Sequence, residues 1–192
     1  IERRMSSRKY TKDYSLENKS QKNGKVATIP VYRGELFGFE KKKEDVERVK
    51  RVFLIFTIAE WVIYFVALLL NTDKGRVMYV SLPLIAVAFP LLGQTSIVLM
   101  LKKTKSEYIR SEKDKITEKL ISWVFVSFFF SLCSLLGHVV SWIMRGESIL
   151  DAILLVLTLL LVALSYSLFA KRKDLAMKMV GTTKLPEEED QK

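Results

Sequence analysis

The chain contains a single cysteine and a single histidine among its 192 residues. One thiol, Cys133, cannot form an internal disulfide, and no cysteine or histidine lies beside it at the spacing typical of metal ligands. Cys133 lies inside an apolar run, so we interpret it as a small residue in helix packing. We therefore predict neither a metal site nor a cofactor.

The sequence also lacks the motifs that carry common enzymatic chemistry. It contains no Walker motif, no HExxH, no GxSxG and no CxxC pair. With one histidine, one buried cysteine and no carboxylates paired at a suitable spacing, a membrane enzyme is the least favoured class. We expect no catalytic activity. The first fifty residues are polar, so we also expect no cleaved signal peptide.

Long apolar runs are what the sequence does contain. Hydrophobic residues make up 49% of the chain and charged residues 27%, and the two kinds are segregated. About 20 apolar residues are needed to cross the hydrocarbon core of a bilayer, and four runs reach that length. The fold class is therefore an all-α integral membrane protein whose four transmembrane helices form an antiparallel bundle. The predicted spans are 51–70, 77–101, 120–144 and 149–170, which together make a transmembrane domain over 51–170.

The distribution of positive charge predicts the orientation. The segments 33–51 and 102–119 each carry seven lysines and arginines, and 171–178 carries four, whereas 71–76 carries two and the loop around Arg145 carries one. Basic flanks stay on the cytoplasmic side, so both termini should be cytoplasmic in a multi-pass protein of the cell membrane. The net charge of +10 then predicts contact with the lipid bilayer and its anionic headgroups rather than with nucleic acid.

The polar segments predict smaller elements. Residues 1–24 should form a flexible basic tail. Residues 25–50 should form a cytoplasmic or interfacial segment that ends in a charged helix. Its first part favours either a short hairpin that turns at Arg33–Gly34 or an interfacial foot of aromatic side chains. Those side chains are Tyr32, Phe37 and Phe39.

The remaining polar segments lie between the second and third spans and after the fourth. The inner loop alternates charge signs at helical spacing, which predicts two helical extensions joined near Ser111. The alternation indicates either a solvated face or a docking surface for a cytoplasmic partner. Residues 171–192 should form a cytoplasmic C-terminal tail with a disordered acidic end.

Each span carries one face of polar or small residues, which should turn toward other helices or toward a second copy of the chain. For the serines, close packing and a polar conduit both remain open, and Pro83 and Pro90 should kink the second span. The faces are Thr57, Glu60, Tyr64, Ala67 and Asn71; Pro83, Ala86, Pro90 and Gly93; Ser127, Ser131, Ser134, His138, Ser141 and Arg145; and Asp151, Thr158 and Ser165.

Glu60 is the candidate for a functional intramembrane residue, because a charge in the middle of a span costs about 3 kcal/mol on insertion scales. Such a residue faces a partner or water, or it stays protonated. It either exchanges protons or binds a cation, or it serves as a neutral, hydrogen-bonded acid. Counting the helical rise places three hydroxyl residues near its level. The candidate polar site consists of Glu60, Tyr64, Ser131, Ser134, His138, Thr158 and Gln94.

A few further expectations concern individual members of this site. Tyr64 should lie one turn outward of Glu60, and His138 should lie too far outward for direct contact with it. Gln94 should either cap a water-filled vestibule or bond a neighbour. Arg145 and Asp151 should pair across the outer loop.

The run Ile58-Ala59-Glu60-Trp61, a glutamate within the first of four spans, resembles the small multidrug-resistance transporters in that feature alone. Those proteins are shorter, and they lack the basic N-terminal segment and the extended inner loop of this chain. The sequence is therefore not assigned to that family.

Two functions follow from these observations. The first is a non-catalytic subunit or accessory component of a membrane assembly, present as a homo-oligomer or with a membrane-protein partner. The second is a small proton- or cation-coupled transporter or channel, which would act as an oligomer with Glu60 as the exchanging carboxyl group.

Overall fold

The computed structural model describes residues 8–20, 26–70, 78–102, 105, 107–145 and 149–182. The chain divides into two compact units, and each is described separately. The sheet unit comprises Ile1–Glu40, Lys105–Asp114 and Met177–Lys192. The helical unit comprises Lys41–Thr104 and Lys115–Ala176.

Four long apolar helices dominate the described chain, and each is long enough to cross a membrane. The prediction of a multi-pass membrane protein with four helical spans is therefore confirmed at the level of length and composition. The candidate spans are Lys43–Leu70, Met78–Lys102, Arg110–Met144 and Ile149–Leu175. Their helices are α1 (Lys43–Leu70), α2 (Met78–Ala86), α3 (Ala88–Lys102), α4 (Arg110–Asp114), a π-helical turn (Lys115–Lys119), α5 (Leu120–Arg145), α6 (Ile149–Ala170) and a 3₁₀ turn (Lys171–Leu175).

The helices of the helical unit pack around a common core. Helix α1 lies against α3 and α6, while α5 lies against α2, α3 and α6. Spans that follow one another are therefore neighbours, as the short outer loops predict. The ends of the bundle agree with this arrangement, because Lys41 Nζ, just before α1, lies 2.6 Å from Asp174 Oδ1, just after α6.

The second span is interrupted at Val87, between α2 and α3. Pro90 has no N–H group to donate to the carbonyl of Ala86, and Pro83 lies inside α2. The Val87 N–H lies 3.2 Å from the carbonyl oxygens of both Pro83 and Leu84, which tightens the turn there. Two prolines seven residues apart thus produce one break halfway between them.

Most of the described members of the predicted faces of spans one, three and four are buried, among them Thr57, Glu60, Ser131 and Thr158. Ser141 and Asp151 are only partly buried, and Asn71 and the side chain of Arg145 lie outside the described residues. For span two the predicted face is wrong in part. Pro90 is buried, but Pro83, Ala86 and Gly93 are only partly buried. The core side of this span consists instead of larger side chains, which fill the space between helices better than small ones do. These residues are Val80, Leu84, Val87, Leu91, Gln94, Val98 and Leu101.

The sheet unit contains two small antiparallel sheets. In the first, β1 (Tyr14–Ser20) pairs with β2 (Val26–Tyr32). In the second, β3 (Glu35–Phe39) lies between β4 (Tyr108–Ile109) and β5 (Met177–Thr182). The three strands of this second sheet come from the segment before α1, the segment between α3 and α4, and the segment after α6.

The hairpin prediction is wrong in its pairing. The segments on either side of Arg33–Gly34 are strands, but β2 pairs with β1 and β3 pairs with β4 and β5. The alternative interfacial foot does not hold for Phe37, and it stays a prediction for Tyr32 and Phe39, which are partly exposed. Phe37 is 5% exposed, and Phe39 packs edge-on against Tyr108 with 5.4 Å between ring centroids. Both residues belong to β3, and Tyr108 of the adjacent strand β4 pairs with Phe37 and packs against the ring of Phe39.

Other polar segments also differ from expectation. Residues 8–20 lie within the segment predicted as a flexible tail, yet they form a 3₁₀ turn (Arg8–Asp13) and β1. Ser111 is predicted to lie where two helical extensions join, but it lies inside α4. The helical extensions are separated before it, by the short strand β4. Part of the segment predicted as a C-terminal tail forms β5. The acidic end, together with Asn71 and the two outer loops, lies outside the described residues.

Candidate functional site

Glu60 lies in the core of the helical unit, with none of its surface exposed. Its two carboxyl oxygens accept hydrogen bonds from two other spans. Ser165 Oγ on α6 donates to Oε1 at 2.6 Å, and Gln94 Nε2 on α3 donates to Oε2 at 2.6 Å. The same amide nitrogen donates to Thr57 Oγ1 on α1 at 2.8 Å. Glu60 is therefore tied to both helices that flank α1.

A fifth residue completes this group. Ser127 Oγ on α5 lies 3.5 Å from Ser165 Oγ, so all four spans contribute a polar atom. We call these five residues the buried polar cluster; they are Thr57, Glu60, Gln94, Ser127 and Ser165. Each of them is at most 2% exposed.

The cluster brings together one carboxyl group and no cation. The ion pairs found between described residues do not include Glu60. A charged carboxylate without a cation is costly in a low-dielectric core, whereas a neutral carboxyl group with satisfied hydrogen bonds is not. The arrangement therefore suits a neutral Glu60 whose two carboxyl oxygens accept from Ser165 and Gln94.

Apolar side chains border the cluster on α1, α3 and α6. One helical turn away on one side, Tyr64, Leu91 and Leu161 belong to a single buried apolar cluster. On the opposite side, the residues one turn away include Val98 and Leu168, which are at most 2% exposed. These apolar surroundings lower the local dielectric constant, which strengthens the hydrogen bonds inside the cluster.

The hydroxyl partners predicted for Glu60 are not the ones observed. Thr158 Oγ1 donates to the carbonyl oxygen of Leu154 at 3.0 Å, within its own helix. Ser131 and Ser134 are fully buried but are not hydrogen-bonded to Glu60. The partner on α6 is Ser165, two helical turns beyond Thr158. Tyr64 lies one helical turn after Glu60 on α1, and its ring packs against that of Trp61 with 5.8 Å between centroids.

A line of polar groups continues along α5 from the buried polar cluster. Ser131 Oγ, Ser134 Oγ and His138 Nε2 are buried and have no hydrogen-bond partner among the described residues, and neither has Gln94 Oε1. The predicted pair between Asp151 and Arg145 cannot be placed, because the side chain of Arg145 lies outside the described residues.

The contribution of Gln94 to the cluster was only half anticipated. The sequence predicts that Gln94 bonds a neighbour or caps a vestibule, and the structure has it bridging Glu60 and Thr57. A second tie between the same two spans was missed, in which Trp61 Nε1 donates to Thr95 Oγ1 at 2.8 Å. The signal for both was available, since a glutamine and a threonine side by side in a span need partners in the bilayer.

Within the described part of the chain, no group of three or more histidine, cysteine, aspartate or glutamate side chains could hold a metal ion. No protein-family model matches the sequence, and neither a curated protein nor a solved structure is similar to it. The site must therefore be interpreted from its own chemistry.

Proposed function

We propose that the protein is a non-catalytic subunit or accessory component of a membrane assembly, present as a homo-oligomer or with a membrane-protein partner. The observation that carries this proposal is that both carboxyl oxygens of Glu60 are hydrogen-bonded inside the bundle. Both carboxyl oxygens accept hydrogen bonds, from Ser165 and from Gln94. A carboxyl group with these two hydrogen bonds connects α1 to α3 and α6. Its oxygens are then occupied by protein donors rather than available to bind a substrate.

The proposal places both termini and the inner loop on the cytoplasmic side of the cell membrane. The three-stranded sheet supports this placement, because β3, β4 and β5 come from the three segments that are rich in lysine and arginine. Strands that pair with one another must lie on the same side of a membrane. The pairing is thus independent support for an even number of crossings, in addition to the charge pattern.

Replacement of the carboxyl group tests the structural role of Glu60. In Glu60→Gln, the amide oxygen can accept from Gln94 and the amide nitrogen can donate to Ser165, so we expect unchanged folding and assembly. In Glu60→Leu, the side chains of Ser165 and Gln94 each lose one hydrogen-bond partner, and the free energy of unfolding should fall by about 1–3 kcal/mol. The measurements are thermal unfolding of the purified protein and the mass of the complex extracted from native membranes.

The control for this experiment is Glu44→Gln, which makes the same chemical change at an exposed position of α1. It should alter neither quantity. If Glu60→Gln dissociates the complex or abolishes its activity while the unfolding temperature stays unchanged, a purely structural role for the carboxyl group is refuted.

A second candidate function is a small proton- or cation-coupled transporter or channel that works as an oligomer. It is favoured by buried polar atoms on α5, at Ser131, Ser134 and His138, for which the described part of the chain provides no hydrogen-bond partner. Buried polar groups in proteins commonly bind ordered water when no side chain satisfies them. Water molecules along α5 would connect Asp151 to the buried polar cluster, and Glu60 would then be the exchanging carboxyl group.

Flux measurements distinguish the two candidates. For a transporter, proton or cation flux into proteoliposomes should be lost in Glu60→Gln, because an amide cannot exchange a proton. Glu44→Gln should transport like the unmodified chain. Full flux in Glu60→Gln would rule out the carboxyl group as the exchanging site.

A further inference from the structure

A cavity of about 270 Å³ lies between the first and second spans, near the beginning of α1 and the end of α3. It is lined by Glu47, Lys50, Arg51 and Leu54 from α1 and by Lys102 from α3. This is the end of the bundle at which the basic segments adjoin the apolar spans. The cavity is separate from the buried polar cluster, whose residues come later in α1 and earlier in α3.

Positive charge is in excess at this cavity. Lys50 is 7% exposed, and its Nζ lies 3.0 Å from Oε1 of Glu47, so these two charges compensate each other. Arg51 and Lys102 are exposed, and neither takes part in an ion pair found between described residues. Three cations face one carboxylate, which leaves two positive charges directed at the space between the helices.

An exposed apolar stripe begins at the cavity and continues along α1. Ile55, Ile58 and Val62 follow Arg51 at helical spacing, and they are 59%, 54% and 57% exposed. In a bilayer these side chains lie against acyl chains, while the cations next to them lie at the level of the headgroups. The site therefore offers a cationic cavity and an apolar path that leads directly away from it.

We propose that this cavity binds the phosphate group of an anionic phospholipid, whose acyl chains follow the stripe of Ile55, Ile58 and Val62. The guanidinium group of Arg51 binds two phosphate oxygens at once, and the ammonium group of Lys102 adds a second positive charge beside the same singly charged phosphodiester. Glu47 holds Lys50 at the wall of the cavity. The apolar stripe favours a lipid over a free phosphate ion, because an ion in solution gains nothing from it.

This inference rests on the placement of the helices in a membrane, but it does not depend on which proposed function is correct. Its test therefore uses lipid binding rather than assembly or flux. The full chain is purified in a neutral detergent, and phosphatidylglycerol and phosphatidylcholine are compared by native mass spectrometry and by thermal unfolding. Inorganic phosphate is added in a parallel series.

The decisive variant is Arg51→Gln combined with Lys102→Gln. Each basic residue near a lipid surface contributes about a fivefold gain in affinity, so the double variant should bind phosphatidylglycerol about 25-fold more weakly. The matched control is Arg48→Gln combined with Lys171→Gln. It removes two cations from the same end of the bundle, at a cavity that also contains Asp45 and Asp174. The control should keep the preference for phosphatidylglycerol.

Three results would overturn the proposal. If the Arg48→Gln and Lys171→Gln control lost binding to the same extent, binding would depend on the overall positive charge and not on this cavity. If phosphatidylglycerol and phosphatidylcholine bound equally well, the cavity would not be selective for an anionic lipid. If inorganic phosphate stabilised the protein as strongly as phosphatidylglycerol, the ligand of the cavity would be a free anion and not a lipid. If the double variant does not fold, Arg51→Lys serves instead, because it keeps the charge but loses the two-oxygen contact and should bind several-fold more weakly.

Discussion

At the scale of single residues, the chemistry of Glu60 is set by the donors that surround it. A bilayer provides no water to solvate a carboxyl group, so each of its oxygens must find a donor within the protein. Ser165 and Gln94 supply one each from different helices. Glu60, the residue that the sequence singles out as reactive, thus connects three helices, α1, α3 and α6.

The sequence identified Glu60 but not its hydroxyl partner, and the reason is geometric. Counting the rise from the middle of each span assumes that all four helices are centred at one depth. The candidate spans differ in length, from 25 to 35 residues, so their middles need not coincide. Ser165 lies six residues before the basic residue Lys171, whereas Thr158 lies close to the centre of its helix. Distance from the basic flank would have been the better measure.

A close approach of two helices gives a sharp prediction at Gly137. A Cβ atom added there would lie 2.6 Å from the carbonyl oxygen of Tyr79, which is backbone and cannot rotate away. Gly137→Ala should therefore force α2 and α5 apart and lower the free energy of unfolding by about 1–3 kcal/mol. The measurement is thermal unfolding in detergent. Gly181→Ala is the control, because nothing lies within 4 Å of its added Cβ, and a fall of equal size there would contradict the steric explanation.

At the scale of elements, the helices were more predictable than the strands. An apolar run long enough to span a bilayer carries its own signal, and it needs no knowledge of distant residues. A strand of five or six residues is specified by its partner. In the three-stranded sheet Gly38 pairs with Lys178, and Leu36 pairs with Ile109. The pairing of segments so far apart in sequence produces no pattern in the local sequence. The strands β4 and β5 could therefore not be predicted from the sequence.

Tyr32 joins several elements of the sheet unit and gives a prediction about pH. Its phenol donates to the carbonyl oxygen of Glu35 at 2.7 Å and accepts from the N–H of Arg110 at 3.1 Å. Burial raises the pKa of this phenol above its ordinary value of about 10. A raised folded-state pKa means that the contribution to stability is complete below the ordinary pKa and is lost as the pH rises through the folded-state value.

The comparison variant is Tyr32→Phe. It should be less stable than the unmodified chain by about 0.5 kcal/mol at neutral pH, the lower end for a hydrogen bond that is partly accessible to solvent. The difference should shrink as the pH rises above about 10. Chemical unfolding followed from neutral to alkaline pH measures it, with Tyr166→Phe, 59% exposed on α6, as the control. A difference that stays constant with pH would exclude a role for the phenol proton.

At the scale of the whole molecule, the order of the spans predicts which positions share a side of the membrane. Single cysteines can be introduced at Glu44, Lys178 and Ile149 in a Cys133→Ser background, because all three positions are exposed. A membrane-impermeant maleimide should label Ile149→Cys in intact cells. It should label Glu44→Cys and Lys178→Cys only after the membrane has been permeabilised. Labelling of Glu44→Cys and Lys178→Cys from opposite sides would refute an even number of crossings.

The three-stranded sheet has a consequence for the way the protein is made. The central strand β3 is synthesised before the first span, and β5 is synthesised after the fourth. A nascent chain in which one span fails to insert would leave these two strands on opposite sides of the bilayer, and they could not pair. Completion of the three-stranded sheet is therefore blocked by the failure of any single span, and β3 cannot pair with β5 until the whole helical unit has been synthesised.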